Sequence, residues 1–447
     1  MKIAIIGTSN SITGLNGFIK ALRLHHEVLN ISTGRSPFYF HVQAILENRD
    51  LLEAQDLVIV DHYINDGNFY DATMDQDYGT RRAQFYDLLS TLNTRVLNLL
   101  FPVQNLADAP EYQASRANSI NLSLSRGIGV LDLNEVAFEN HHYRDSVHVT
   151  ADVSFMLGIF LDRQLLLTDL GKKPKGGAVQ GNSFRHVRVE DIVGLAATEE
   201  FSNRLLTRKY HDLRSKIVIA AQPHEQLIAL SYLRPKANNE ASGMRINGHD
   251  RAVGDFGYFV EALDMEASGP VTIEPIPLDV AQCQELMGRK IATGPFTHCL
   301  ICDFLFHDRQ ARPIWTPAKR QPLHLSVAGL SEAVRRMCPP AKRLLPVTVD
   351  LLRDTALKIE ADNLRSASEL MQIALQSRPD GKLIIAKDKE YQRRLAVMRA
   401  EAAAETAVVQ AAPNPVAAIM TEPRPTPSAS LWGKFLGRNS GKPASGD

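Results

Sequence analysis

The sequence predicts an α/β fold at the N-terminus, followed by an all-β region and a helical region. Within residues 1 to about 170, short apolar runs alternate with segments whose apolar residues recur at helical spacing. Strands that are apolar throughout and separated by helices are typical of a parallel sheet covered by helices on both faces. Because 447 residues exceed what one ordinary core holds, we also expect more than one domain.

The N-terminal region is predicted to contain five strands, each a short run rich in β-branched residues and leucine. In chain order these strands are KIAIIG, HEVLNIS, DLVIVDHY, TRVLNLLF and GIGVLDL. Helices are predicted between them, at residues 12–24, 38–53, 80–92 and 112–124.

The character of the sequence changes after residue 170. A linker rich in glycine and lysine is predicted at about 172–182, and short strand candidates separated by turn residues then indicate a jelly-roll-like β-sandwich over 183–328. Helical spacing returns over 331–402. The remainder, 403–447, is rich in proline and alanine and is expected to be disordered. An apolar island in it, from Leu431 to Gly437, is either a neutral terminus or a docking motif for a partner or a membrane surface.

Composition and charge narrow the class of protein. Fifty basic residues balance fifty acidic ones, so nucleic acid is not expected as a partner. The first apolar run is shorter than the roughly 7–15 residues of a signal peptide, and no run reaches the roughly 18 residues of a membrane span. We therefore expect a cytoplasmic protein without a transmembrane segment.

The four cysteines are too few and too late in the chain to form a disulfide framework. They are Cys283, Cys299, Cys302 and Cys338. The spacing of Cys299 and Cys302, next to His298, resembles part of a zinc site. However, the segment is predicted to be a strand, in which these two cysteines face opposite sides. We interpret them as core residues and expect no metal.

The first strand ends at Gly7, and this break has two interpretations. A dinucleotide-binding turn would need glycine where Ser9 and Ile12 stand. The next strand, which ends near Ser32, also offers no acidic residue to hold a ribose. A nucleotide is therefore not favoured, and no cofactor is expected.

The second interpretation is that the turn exposes a nucleophile, Ser9. A serine nucleophile needs a base and an acid that orients the base. Asp145 and His148 are three residues apart, so one loop can present both side chains towards one point. Gly34 and Asn65 also follow predicted strands, and the carboxyl ends of parallel strands share one edge of the sheet.

With these residues, the first 170 or so positions resemble the SGNH/GDSL hydrolase superfamily. Its four sequence blocks correspond to Gly7-Thr8-Ser9, Gly34, Asn65-Asp66 and Asp145-Ser146-Val147-His148, in this order. Two positions depart from the family pattern: Thr8 replaces the usual acid, and Tyr63 stands where the family usually has glycine.

The resemblance implies a flavodoxin-like three-layer fold and acyl-transfer chemistry. Ser9 would be the nucleophile, His148 the base and Asp145 its orienting acid. The backbone N–H groups of Ser9 and Gly34 and the amide of Asn65 would form the oxyanion hole. The expected activity is that of a serine-dependent ester hydrolase or acyltransferase. Its expected substrate is a small-molecule or carbohydrate ester, namely an O-acylated carbohydrate of surface-polysaccharide metabolism. The alternative is a non-catalytic scaffold of the same fold that binds a glycan or protein partner.

Overall fold

The structure is a computed structural model whose contacts divide the chain into two compact units, Met1–Pro340 and Ala341–Asp447. The residues it describes are 1–12, 17–34, 36–67, 76–168, 171–192, 194–195, 199–202, 207–234, 242–253, 257–266, 269–287, 299–338, 346–378 and 381–411.

The first unit contains the expected parallel sheet. Its strands are β1 (Lys2–Ile6), β2 (Glu27–Asn30), β3 (Leu57–Val60), β4 (Arg95–Leu100) and β5 (Gly129–Asp132), in the order β2-β1-β3-β4-β5. All neighbouring pairs are parallel. Every residue of β3 and β4 is buried, and apart from Arg95 and Asn98 of β4 these residues are apolar. The predicted α/β core is confirmed.

Helices connect and cover these strands. They are α1 (Phe18–Leu22), α2 (Phe38–Glu53), α3 (Tyr63–Gly67), α4 (Gln76–Ser90), α5 (Pro110–Leu124) and α6 (Ala151–Leu167). The first helix, Phe18–Leu22, is shorter than the predicted segment 12–24, and a 3₁₀ turn, Ser9–Ser11, precedes that segment. A short antiparallel pair, β6 (Tyr143–Asp145) and β7 (His148–Val149), precedes α6.

The region after α6 contains antiparallel strands, as expected. They are β8 (Ala178–Gln180), β9 (Phe184–Arg188), β10 (Glu199–Ser202), β11 (Thr207–Asp212), β12 (Ile217–Ile219), β13 (Glu225–Arg234), β14 (Ser242–Ile246), β15 (His249–Val253), β16 (Gly257–Glu266), β17 (Val271–Pro275), β18 (Leu300–Asp308) and β19 (Ile314–Thr316). A helix, α7 (Val280–Met287), lies between β17 and β18. Strand β8 pairs with β19, so the predicted linker contains a short strand.

Within the described residues, most of these strands form two sheets. The larger has the order β10-β11-β18-β13-β16, with β9 also paired to β18, and the smaller has the order β12-β17-β14-β15. Side chains of both sheets, such as Leu230 and Phe304 of the larger and Met244 and Ile273 of the smaller, share one buried cluster. The jelly-roll-like character and the boundaries 183–328 stay predictions.

The larger antiparallel sheet packs directly on the α/β part. Phe38 and Val42 of α2 lie in the same buried cluster as Ile228 of β13 and Leu305 of β18. Polar contacts cross the same boundary. Ser231 Oγ donates to Gln43 Oε1 over 3.1 Å, and Arg81 Nη1 donates to Gln226 Oε1 over 2.9 Å. We call this boundary, lined by α2 and strands β13 and β18, the shared core.

The expected helical region is divided between the two units. The helix α8 (Leu330–Met337) belongs to the first unit, where Leu330 and Val334 are buried in the cluster that contains α6 residues. The second unit contains α9 (Pro346–Ile359), α10 (Leu364–Ser377) and α11 (Lys382–Ala411). Its own core includes Met371 and Tyr391.

The last helix extends past the predicted boundary at 402, and the apolar island at 431–437 lies outside the described residues. Over the part of the chain that is described, no helix is both long and apolar enough to cross a membrane. The four cysteines are buried and have free thiols, as expected for core residues. Burial raises the pKa of Cys299 to about 12, and His298 lies outside the described residues.

Candidate active site

The turn that carries Ser9 begins where β1 ends at the carboxyl edge of the sheet. Gly7 leads into the 3₁₀ turn Ser9–Ser11, with Ser11 N donating to Thr8 O over 3.0 Å. A Cβ at position 7 would lie 2.5 Å from the Cβ of Ser11, closer than side chains can approach. The close turn therefore requires glycine at this position, which explains the abrupt end of the first apolar run.

A buried carboxylate on the neighbouring strand anchors this turn. Asp61 follows β3, and its Oδ2 accepts hydrogen bonds from Thr8 N (3.2 Å), Thr8 Oγ1 (3.0 Å) and Ser11 Oγ (3.0 Å). Asp61 is fully buried, and this burial raises the pKa of its carboxyl group above the ordinary value. The residues on both sides of Ser9 are thus fixed to the centre of the parallel sheet.

The second loop carries Asp145 and His148 and connects β6 to β7. Asp145 Oδ1 accepts hydrogen bonds from the backbone N–H groups of Val147 (3.1 Å) and His148 (2.9 Å) and lies 2.8 Å from His148 Nδ1. Burial alone would raise the pKa of Asp145, but these donors hold it below its ordinary value. The carboxyl group is therefore ionised at neutral pH and fixes the orientation of the imidazole.

The two loops meet at the side chains of Ser9 and His148. Ser9 Oγ lies 2.6 Å from His148 Nε2, although the two residues are 139 positions apart. When Nδ1 carries the proton and donates to Asp145, Nε2 has a lone pair that can accept the hydroxyl proton of Ser9. This is the chain of hydrogen bonds that a serine nucleophile needs, in the order acid, base, hydroxyl.

Gly34 lies on the loop that follows β2, and Asn65 lies on α3, the short helix that follows β3. Asn65 is buried, and its Nδ2 donates to the carbonyl oxygen of Ser36 over 3.1 Å. Ser36 Oγ in turn donates to the carbonyl oxygen of Gly34 over 3.3 Å. The loop of Gly34 is also joined to the Ser9 turn, since Thr33 N donates to Gly7 O over 3.1 Å. These hydrogen bonds connect three loops at one edge of the sheet.

The order of the parallel sheet and the Ser9–His148–Asp145 contacts agree with the SGNH-like arrangement that the sequence blocks of the N-terminal segment imply.

Comparison with solved structures gives matches that cover little more than a third of the chain. An acetyl xylan esterase matches with 13% sequence identity and a TM-score of 0.30, over 37% of this chain and 98% of its own. A lipase/acylhydrolase from Enterococcus faecalis matches with 14% identity and a TM-score of 0.30, over 37% and 94%. An acetyl xylan esterase from Geobacillus stearothermophilus matches with 14% identity and a TM-score of 0.29, over 36% and 91%. No protein-family model and no curated protein matches the sequence.

Tyr63, the departure from the SGNH-like pattern, points its side chain into the core. The residue is fully buried in the cluster that contains Ile5 and Leu99. Its hydroxyl group donates to the carbonyl oxygen of Phe101 and accepts from Asn134 Nδ2 over 3.0 Å. Burial raises the pKa of Tyr63 well above its ordinary value, so the hydroxyl stays protonated. The larger residue therefore anchors the first turn of α3.

Asp66 fixes the other end of α3. Its Oδ2 lies 2.7 Å from His62 Nδ1 and 3.1 Å from Arg82 Nε, and its Oδ1 accepts from Phe38 N over 2.8 Å. Burial would raise the pKa of Asp66, but the adjacent His62 imidazole and Arg82 guanidinium hold it below the ordinary value. Asn65 is consequently carried by a short helix that is held at both ends.

Two residues of the site were missed by sequence analysis. Asp61 anchors the Ser9 turn, and Asn10 Nδ2 donates to the carbonyl oxygen of Val147 over 3.0 Å. Neither residue belongs to a recognised sequence block. The only available signal for Asp61 was its position directly after a buried strand next to β1.

Proposed function

We propose that the protein is a serine-dependent ester hydrolase that works through an acyl-serine intermediate. The observation that carries this proposal is the 2.6 Å contact between Ser9 Oγ and His148 Nε2, with Asp145 on the other ring nitrogen of His148. An accessible serine, a base and an orienting acid in this order are the groups required for attack on an acyl carbon. Ser9 is partly exposed, so an ester can approach it.

In the proposed reaction, Ser9 Oγ attacks the acyl carbon while His148 Nε2 accepts the hydroxyl proton. Asp145 stabilises the imidazolium that forms. The backbone N–H groups of Ser9 and Gly34 and the side-chain amide of Asn65 donate to the developing oxyanion. Collapse of the tetrahedral intermediate breaks the ester bond, and His148 returns the proton to the leaving alcohol. A water molecule, deprotonated by His148, then releases the acid and restores Ser9.

We extend the proposal to an O-acylated carbohydrate as the substrate, handled in the cytoplasm during surface-polysaccharide metabolism. The support is the resemblance of the N-terminal blocks to a family that includes such enzymes, together with the additional antiparallel sheets after residue 183. A sugar hydroxyl in place of water as acyl acceptor would make the same site an acyltransferase. Product analysis with acetylated sugars, with and without an added sugar acceptor, distinguishes hydrolysis from transfer.

Covalent labelling tests the nucleophile. We expect a fluorophosphonate probe to modify the wild-type chain at Ser9 alone, with the adduct located by peptide mass spectrometry. The Ser9→Ala variant should show no labelling. The exposed Ser125 is a matched control, and Ser125→Ala should be labelled like wild type. Labelling of a folded wild-type chain at another serine, or none at all, would refute the proposal.

Turnover of a small ester such as p-nitrophenyl acetate tests the oxyanion hole. Because the Asn65 amide is assigned to the transition state, Asn65→Ala should lower kcat by about 10²–10³ with little change in KM. A non-catalytic scaffold would give a different result: no turnover by the wild type, while binding of a glycan to the folded chain continues.

A further inference from the structure

A second cluster of polar side chains lies at the shared core, on elements other than those that carry Ser9 and His148. It consists of Glu47 on α2, His186 on β9 and Asp303 on β18. The ligand atoms of these side chains all lie within 4.8 Å of one another. The side chains are 12%, 8% and 3% exposed, respectively, so the cluster is largely buried.

The strand register brings two of these residues to one face of the sheet. His186 pairs with Leu305 across the β9–β18 ladder, and Asp303 is two residues before Leu305 on the same strand. Alternate residues of a strand face the same side, so His186 and Asp303 point to the side of Leu305. Leu305 belongs to the shared core, and α2 packs on that face with Glu47. Three separate elements therefore contribute one potential ligand each.

Each carboxylate directs its two oxygens to different partners. Glu47 Oε2 lies 2.6 Å from Arg208 Nη2, and Asp303 Oδ2 lies 3.6 Å from Arg208 Nε. The other oxygens face the histidine: Glu47 Oε1 lies 3.8 Å from His186 Nδ1, and Asp303 Oδ1 lies 3.6 Å from His186 Nε2. Arg208 thus orients both carboxylates and leaves one oxygen of each directed at the imidazole.

The 3.6 Å between His186 Nε2 and Asp303 Oδ1 is too long for a hydrogen bond but fits the spacing between two ligands of one metal ion. Glu47 Oε1 is nearer to the other ring nitrogen, Nδ1, so its side chain would turn towards an ion on Nε2. Ligand bonds of about 2.0–2.2 Å in a tetrahedron separate neighbouring ligand atoms by roughly 3.3–3.6 Å. Among the described residues, His186 Nε2 is buried and has no hydrogen-bond partner. A buried imidazole nitrogen without a hydrogen-bond partner needs an explanation, and here it faces a carboxylate oxygen that a shared ion would also bind.

We propose that Glu47, His186 and Asp303 bind a divalent metal ion of the Zn²⁺ class, with Arg208 as the residue that orients the carboxylates. One nitrogen and two carboxylate oxygens are suitable ligands for this ion. A cavity of about 620 Å³ borders Glu47, His186 and Arg208, so a fourth position is accessible to water or to a small anion. The ion would link α2 to strands β9 and β18 and strengthen the shared core.

The proposal is tested with the full chain after treatment with EDTA and titration with ZnCl₂. We expect the wild type to bind one Zn²⁺ at a tight site, and its Tm to rise with the concentration of ZnCl₂ because the ion binds the folded state. Glu47→Gln and His186→Leu should each weaken this site by at least about 100-fold, since each removes a direct ligand. Both variants should also lose the rise in Tm.

The matched control is His224→Gln. His224 lies 3.3 Å from Asp308 on the same β region but is half-buried and outside the cluster. This variant should bind Zn²⁺ like the wild type. If Glu47→Gln unfolds because it changes the carboxylate that contacts Arg208, His186→Leu still tests whether the site binds Zn²⁺, since it leaves both carboxylates and Arg208 in place. Equal Zn²⁺ affinity of His186→Leu and wild type would overturn the proposal, as would a folded wild type that binds no Zn²⁺.

Discussion

Asn10 Nδ2 donates to the carbonyl oxygen of Val147 over 3.0 Å, and this contact joins the turn that carries Ser9 to the loop that carries His148. The two loops are far apart in sequence, so tertiary contacts such as this one set their relative position. Asn10 is almost fully buried and follows Ser9 directly. The distance between the proposed nucleophile and its base is therefore set partly by a residue with no chemical role in the reaction.

We expect Asn10→Ala to lower kcat for a small ester by roughly 10–100-fold, because a loss of alignment of about 1 Å between reacting groups has effects of this size. The free energy of unfolding should fall by about 1–2 kcal/mol, as expected for a lost buried hydrogen bond. Steady-state kinetics and urea denaturation measure both effects. Asn121→Ala, on the exposed face of α5, is the control that should change neither. Unchanged kcat in Asn10→Ala would show that the contact does not align the site.

We expect Asp145→Asn to lower kcat by about 10³–10⁴ while the fold is retained. An amide in place of the carboxylate can donate to Nδ1 and favour the wrong tautomer of His148, which removes the lone pair at Nε2. Asp145 is exposed enough for this isosteric change to be tolerated. Steady-state kinetics give the loss, and circular dichroism verifies the fold. A variant with wild-type kcat would exclude Asp145 as the orienting acid.

Replacing Asp61 should separate its charge from its role as an acceptor. Asp61→Ala leaves the donors on Thr8 and Ser11 without their acceptor, so we expect a loss of about 2–4 kcal/mol in the free energy of unfolding. Asp61→Asn keeps one oxygen acceptor and should lose about half as much. Urea denaturation of both variants tests this order. Equal stability of Asp61→Ala and wild type would contradict the anchoring role.

The folded protein should lose stability as the pH falls below about 6.5. Burial lowers the pKa of His41 from 6.5 to about 3, and burial with the charge of Arg81 lowers the pKa of His307 from 6.5 to about 4. The unfolded chain binds protons near pH 6.5 and the folded chain does not, so acid favours unfolding. Each histidine contributes a slope of up to about 1.4 kcal/mol per pH unit.

Urea denaturation at pH 7, 6 and 5 measures this slope. The His41→Asn variant should show a shallower dependence on pH than the wild type, because one of the buried groups no longer titrates. The exposed His249 provides the matched variant, His249→Gln. Identical slopes for His41→Asn and wild type would show that folding does not shift the pKa of His41.

The α/β core and the Ser9, Asp145 and His148 pattern could be predicted from the sequence because they rest on local signals. Apolar runs identify the strands of a parallel sheet, and Asp145 and His148 are close in sequence. Asp61 and Asn10 could not be identified, because their partners are 53 and 137 positions away. A single aspartate or asparagine carries no sign of such a distant contact.

How the α/β part packs against the β region could also not be predicted from the sequence. Residues 172–182 resemble a free linker in composition, but Gly177 packs so closely on the carbonyl oxygen of Thr91 that no Cβ would fit. Glycine is required here because the backbones of residues 177 and 91 approach closely, and not because the segment is flexible. Glu47, His186 and Asp303 illustrate the same limit, since each stands in a different element and none forms a spaced motif.

The shared core has a practical consequence for handling this protein. The aromatic side chains of α2, including Phe38 and Phe40, are covered in part by residues of β13 and β18. A fragment ended near residue 170 would expose this apolar surface to water and would tend to aggregate. For recombinant expression, a piece that ends with the first compact unit at Pro340 keeps the strands β13 and β18 that cover this surface.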